Sequence, residues 1–281
     1  MIKRTIKRTA AALFPPGSGH SVILAYHSVG GASPYSQPVV MFEEQMRILV
    51  ERFTVVPLPA LLGALRAGGR RLAAITFDDG FEDLYTCAFP VLRKLGLPFT
   101  AFLTTAFMER GRDAFDWSPH YAGLAPLTWE QVREMAAEGC HVGSHTHSHP
   151  RLADCASDEM LAELTQSKRI LETRTGNPVS MLAYPFGQPH DYDRRVTTAA
   201  AEAGYSAAFT GLQTCFTSLD NWYEIPRVMV DATDGRADFQ EKIGGQRDFI
   251  ASLERLYSAL IRLGLRPQPV IAPRSTARTC S

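Results

Sequence analysis

Two rhythms of hydrophobic and polar residues take turns along this chain. Short apolar, β-rich runs at 22–26, 54–58, 72–77, 99–104, 141–143, 180–184, 207–210 and 227–230 read as strands. Between them, residues 42–52, 81–95, 128–138, 158–175 and 194–203 carry apolar positions at helical spacing, and 248–263 repeats that pattern at the end. Gly96 and Gly139 stand where helices should stop, and Ser157 or Asp158 where one should start. Strand alternating with helix predicts an α/β fold, a mostly parallel sheet wrapped by helices. Residues 106–126 break the alternation and read as a long surface insertion of the kind that borders a substrate groove.

The 281 residues suit two small domains or one large α/β barrel. No stretch approaches the roughly 20 apolar residues needed to span a bilayer as a helix. The organisation expected is a basic amphipathic segment at 1–20, a barrel domain at 21–245, and a helix with a basic tail at 246–281. The formal charge is zero, but residues 10–251 hold 20 basic and 28 acidic side chains, a balance of −8 that excludes a nucleic-acid footprint. The positive charge sits at the ends. Lys3, Arg4, Lys7 and Arg8 flank an apolar face of Ile2, Ile6, Ala10 and Leu13, closed by Pro15-Pro16. That segment reads either as a solvated tail or capping helix, or as a foot on an anionic membrane surface. It makes a poor secretory signal, because its apolar run is short and no convincing cleavage site follows. Five scattered cysteines, odd in number and never in a Cys-x-x-Cys pair, favour a reducing compartment. The expected location is therefore cytoplasmic, at most peripheral on the inner membrane, with export as the alternative.

Two short segments carry the chemistry. Thr76-Phe77-Asp78-Asp79-Gly80 follows the apolar run Leu72-Ala73-Ala74-Ile75 and precedes a helix, so it lies where strand becomes loop, the edge on which α/β sites are built. Consecutive strand side chains point to opposite faces. Both carboxylates reach one cleft only if the backbone turns there, as Gly80 permits. Taken alone, the pair could equally cap the next helix. The second segment is His145-Thr146-His147-Ser148-His149. Four of the eight histidines, at 141, 145, 147 and 149, fall within nine residues, and His145 and His149 have a spacing that presents two imidazoles to one metal. The metalloprotease pattern has Glu directly after the first histidine, but Thr146 stands here, so the base must come from elsewhere and Asp78 is the obvious supplier. His141 should open a strand, and His147 should point away from the metal.

These residues resemble the NodB-homology polysaccharide deacetylases, carbohydrate esterase family 4. Residues 76–80 are similar to the family's first motif and residues 145–149 to its second. The resemblance runs over roughly residues 22–230, through Leu24-Ala25-Tyr26-His27-Ser28-Val29, Leu127-Thr128-Trp129-Glu130 and Ala183-Tyr184-Pro185-Phe186-Gly187. It implies a distorted (β/α) barrel of about seven strands that removes N-acetyl groups from an N-acetylated sugar or polysaccharide. A related O-acetyl or N-formyl sugar hydrolase, or a carbohydrate-binding protein without turnover, are the alternatives. By the resemblance Asp78 is the catalytic base, and Asp79, His145 and His149 hold a divalent metal. Zinc suits that donor set, with cobalt or nickel as the alternatives.

Two departures from the family pattern stand out. The third motif's Arg, which orients the catalytic Asp, is replaced by Ala183, and Arg227 before the last strand is a candidate substitute. The C-terminal Leu-x-His motif that supplies the general acid is absent, since no histidine follows His190. His27 resembles the histidine of the branch that carries this motif at its N-terminus; otherwise it would be a satisfied core histidine. Closure of a barrel makes first and last strands neighbours, which favours the first reading. Tyr184 and Phe186 are candidates for stacking on the sugar, and a backbone N–H near Phe186 for the oxyanion.

Overall fold

A computed structural model of the chain describes residues 19–31, 33, 36–111 and 123–265. Residues 1–18 of the basic N-terminal segment, the tail from 266 and residues 112–122 of the expected insertion lie outside those residues.

Eight strands form one all-parallel sheet: β1 (Val22–Tyr26), β2 (Thr54–Val55), β3 (Leu72–Phe77), β4 (Thr100–Leu103), β5 (His141–Ser144), β6 (Met181–Ala183), β7 (Ala207–Phe209) and β8 (Val228–Met229). Seven of them follow in the order β7-β6-β5-β4-β3-β1-β8, and β2 pairs with the start of β3. The sheet curls into a half-barrel. Residues 222–229 lie across the gap between its edges. Ala208 N donates to Trp222 O at 2.8 Å and Thr210 N to Ile225 O at 2.8 Å, after which β8 pairs Leu24 with Val228 and Ala25 with Met229. The segment changes partner at Pro226-Arg227, where proline has no N–H to offer a ladder.

Strand alternation sorts the core into two clusters. Val22, Leu24, Tyr26, Ile75, Phe77, Leu103 and Leu182 face outward under the helices. Ile23, Ala74, Phe102, Met181, Ala183, Phe209 and Ile225 face the interior. Helix α1 (Val39–Arg52) covers the outer face with Phe42, Met46 and Leu49, while α2 (Leu58–Arg66) sends Leu58, Leu61 and Leu62 to the interior cluster. Residues 54–58 were expected to be all strand. Pro57 and Pro59 cut that strand to two residues and start α2 instead.

A single helix expected at 81–95 is a π turn at Leu84–Ala88 leading into α3 (Phe89–Leu95). Pro90 in its middle cannot donate the i→i−4 bond, which accounts for the irregular turn. The expected insertion at 106–126 is also corrected at its ends. Helix α4 (Thr105–Arg110) buries Thr105, Ala106, Phe107 and Met108, and Leu127 N donates to Gly80 O at 2.9 Å. Helix α5 (Trp129–Ala137) starts at a reciprocal capping box between Thr128 and Gln131. Helices α6 (Ser157–Thr175), α7 (Arg194–Glu202), α8 (Arg236–Ile243) and α9 (Phe249–Arg262) complete the described residues, and α2, α4 and α8 were not anticipated by periodicity.

Candidate active site

Asp78 continues the β3 ladder through its N–H to Tyr26 O at 2.9 Å, with its side chain on the interior face that Ala74 and Thr76 share. The chain then turns at Asp79 itself, whose φ is 72°, followed by Gly80 at 89°. The left-handed conformation at Asp79 sends the second carboxylate to the same cleft as the first. Gly80 was expected to make the turn, but a non-glycine residue takes half of it. Four of the five described non-glycine residues with positive φ, namely Asp79, Thr146, His149 and Phe186, lie in the segments that build this site. Such backbone costs about 1–3 kcal/mol each and persists only where the surroundings impose it.

Helix α6 grips the histidine turn. The Glu163 carboxylate accepts from His147 N at 2.9 Å, Ser148 N at 2.8 Å and Ser148 Oγ at 2.6 Å. Gln166 meets His147 Nε2 at 3.2 Å, and Ser167 meets Ser144 at 2.8 Å. Residues 163, 166 and 167 share one helical face, which is why three side chains hold one loop. His147 is bonded to Thr105 through Nδ1 at 2.9 Å and points away from the cluster, while His141 opens β5.

His145 Nε2 lies 3.5 Å and His149 Nε2 3.6 Å from Asp79 Oδ1, all three side chains buried. Donors around one zinc ion at about 2.0–2.1 Å stand roughly 3.3 Å apart in a tetrahedron. The spacing therefore fits a shared divalent ion. His145 Nδ1 sits 2.8 Å from the Ala183 carbonyl, an acceptor only, so Nδ1 carries the proton and the Nε2 lone pair faces Asp79. Burial lowers the pKa of both imidazoles, well below the ordinary value for His149, and keeps them in the neutral form a metal requires.

Arg227, 1% exposed, closes a fork on Asp78: Nη1 donates to Oδ1 and Nη2 to Oδ2, each at 2.7 Å. Its Nε donates to Thr210 O at 3.1 Å and Nη1 also to Thr76 Oγ1 at 3.2 Å, so β3, β7 and the closing segment all hold it. Burial alone would raise the Asp78 pKa. The Arg227 charge, with His145 and His27 behind it, outweighs that and brings it to about 2. His27 is half-buried just beyond β1, near enough for its charge to bear on both Asp78 and His149. The Phe186 ring packs edge-on against His149 at 4.8 Å. Tyr184 is a correction. Its ring is 1% exposed, stacked on Tyr192 at 5.1 Å with its hydroxyl donating to Tyr223 O at 3.1 Å, so it packs the core and offers no face to a sugar. Glu163 was missed, because its role runs through backbone N–H groups that leave no sequence signature.

A parallel half-barrel with a buried Asp-His-His cluster beside an arginine-clamped carboxylate has the make-up of an α/β enzyme with a candidate metal site. The sequence model of the polysaccharide deacetylases matches residues 66–208, about half of the chain, and the protein belongs to that family. The chain is 28% identical over 212 residues to YxkH of Bacillus subtilis, spanning 74% of this chain and 70% of that one. It is 25% identical over 170 residues to poly-beta-1,6-N-acetyl-D-glucosamine N-deacetylase of Staphylococcus aureus, 57% of this chain and only 55% of the relative. Among solved structures, the Streptococcus pyogenes deacetylase PplD in complex with acetate superposes with a TM-score of 0.69 at 22% identity, over 82% of this chain and 99% of that one. IcaB from Ammonifex degensii gives 0.66 at 24%, over 82% and 98%. At these identities the superpositions speak for the shared fold.

Proposed function

We propose that the protein is a metal-dependent N-deacetylase of an N-acetylated glycan, with β-linked N-acetylglucosamine polymers as the substrate class. The observation that carries this reading is Asp78, held ionised by Arg227 beside the Asp79, His145 and His149 cluster. The staphylococcal relative's named substrate supports the choice of sugar.

Asp79, His145 and His149 would hold the ion. Once bound, a divalent metal, zinc by donor type, supplies Lewis acidity and lowers the pKa of water at the site. Asp78 is the base that takes the proton of the attacking water, and the Arg227 fork keeps both its oxygens oriented. The backbone N–H at Phe186, in a loop held in left-handed backbone at that residue, would donate to the developing oxyanion. His27, at the end of β1, would protonate the departing amine. Phe186 packs the wall behind His149 and offers its remaining edge to the sugar.

Acetate release from N-acetylglucosamine oligomers tests this reading. The metal-loaded protein should release acetate, chelation should stop it, and Asp78→Asn should slow it about 10²–10⁴-fold with the metal content unchanged. Release from O-acetylated sugars alone would replace it with an esterase. Tight glycan binding with no release from any acylated glycan would replace it with a binding protein.

A further inference from the structure

Helix α9 is built inside out. Its buried residues are Ile250, Ala251, Glu254 and Ser258, two of them polar. Each polar one has a partner inside: Glu254 accepts from Gln213 N at 3.3 Å, and Ser258 Oγ meets His190 Nδ1 at 2.9 Å. The opposite face carries Leu253, Leu256, Leu260 and Leu263 at i, i+3, i+7 and i+10, one stripe of an α-helix. Leu256 is 60% and Leu263 75% exposed, and Leu265 just beyond is 54% exposed. Four of the seven large hydrophobic residues exposed among those described fall between 253 and 265.

Charge narrows what could cover the stripe. Arg255 and Arg262 lie along one flank of the helix, and from Phe249 onward the only acid is Glu254, which is turned inward. By sequence, residues 252–281 contain five arginines against that one acid, and residues 1–9 contain four basic residues and none. On the flank itself Asp193 and Glu224 stand beside Arg255 and Arg262, so the balance that favours an anionic partner is that of the sequence, five arginines from Phe249 onward against one inward-turned acid. An anionic bilayer satisfies both features, taking leucines into the acyl boundary while Arg255 extends to lipid phosphates. Arg262 also ties the end of α9 to the site, because its guanidinium donates to the carbonyls of Pro189 and Tyr192 in the loop that begins at Phe186.

We propose that the α9 leucine stripe is a docking surface for an anionic membrane, which brings the catalytic edge of the barrel to the bilayer surface. Co-sedimentation of the full chain with phosphatidylcholine vesicles, with and without phosphatidylglycerol, tests it. The protein should bind the anionic vesicles and release them at high salt. Leu256→Ser/Leu263→Ser should lower the partition coefficient at least about 10-fold while leaving acetate release from soluble oligomers unchanged. Arg255→Gln should weaken binding to the anionic vesicles only. Failure of the wild-type chain to bind, or equal binding by the double variant, overturns the proposal, the second result assigning binding to the basic N-terminal residues. A lower particle mass for the double variant in light scattering, with vesicle binding intact, also overturns it and makes the stripe a seam between copies.

Discussion

At Asp78, burial and a neighbouring charge oppose one another, and the fork from Arg227 decides the outcome. Removing one member of a buried pair leaves the other charge uncompensated. Arg227→Met should therefore cost about 3–5 kcal/mol in denaturant unfolding and reduce kcat as well. Arg227→Lys should recover part of the stability but little of the rate, since a point charge cannot orient both oxygens. Asp83, four residues beyond Asp79, behaves in the opposite sense. Burial lifts its pKa to about 6, against hydrogen bonds from Ser28 and from Val29 N, the two residues that follow His27. The folded state therefore binds this proton more tightly than the unfolded chain. The stability it contributes is complete below the unfolded value of 3.8 and is lost as pH rises through about 6. Unfolding curves for Asp83→Asn should lack that decline, so the stability difference between wild type and variant should fall from about pH 4 to about pH 6. A constant difference across that range would refute the assignment.

The elements that place the site are loops at the ends of β3, β5 and β6, each forced into left-handed backbone at one or two non-glycine residues. Gly187 closes the last of these. It has φ 67°, and a Cβ there would overlap the backbone nitrogen of Gly211, which donates to Gly187 O at 2.8 Å. Backbone cannot yield as a flexible side chain can. Gly187→Ala should cost about 1–3 kcal/mol in thermal unfolding and lower kcat through displacement of Phe186. Strands β1 and β3 match the sequence reading to the residue, because an uninterrupted apolar run bounded by turns has one interpretation. Helices α2, α4 and α8 escaped it, since helices of only six to nine residues, broken by a proline or buried on several sides, show little periodicity.

For the molecule as a whole, the step at residues 222–229 joins β7 to β1 and carries Arg227 into the interior. Ile225, fully buried beside it, locks that segment in the inner cluster. Ile225→Ala should lose about 2–5 kcal/mol and also kcat, with faster amide exchange at Thr210. Leu49→Ala in α1, equally buried but under the outer face, should lose comparable stability at unchanged kcat. Equal kinetic effects from both would refute the idea that the seam positions the base.

The chain by itself determined the alternating α/β plan, the strand-end position of Asp78 and Asp79, and the histidine pair. Each of these is a local pattern whose spacing matches a strand, a turn or a ligand set. The resemblance to a family added the roles. Tertiary structure alone decided that Arg227, 149 residues from Asp78, meets it in a fork, that Glu163 clamps the histidine turn, and that Tyr184 belongs to the core. Those contacts join segments remote in sequence, and the register of a curled parallel sheet sets which of them meet. No local periodicity encodes that register, because it emerges only when the last strand finds the first.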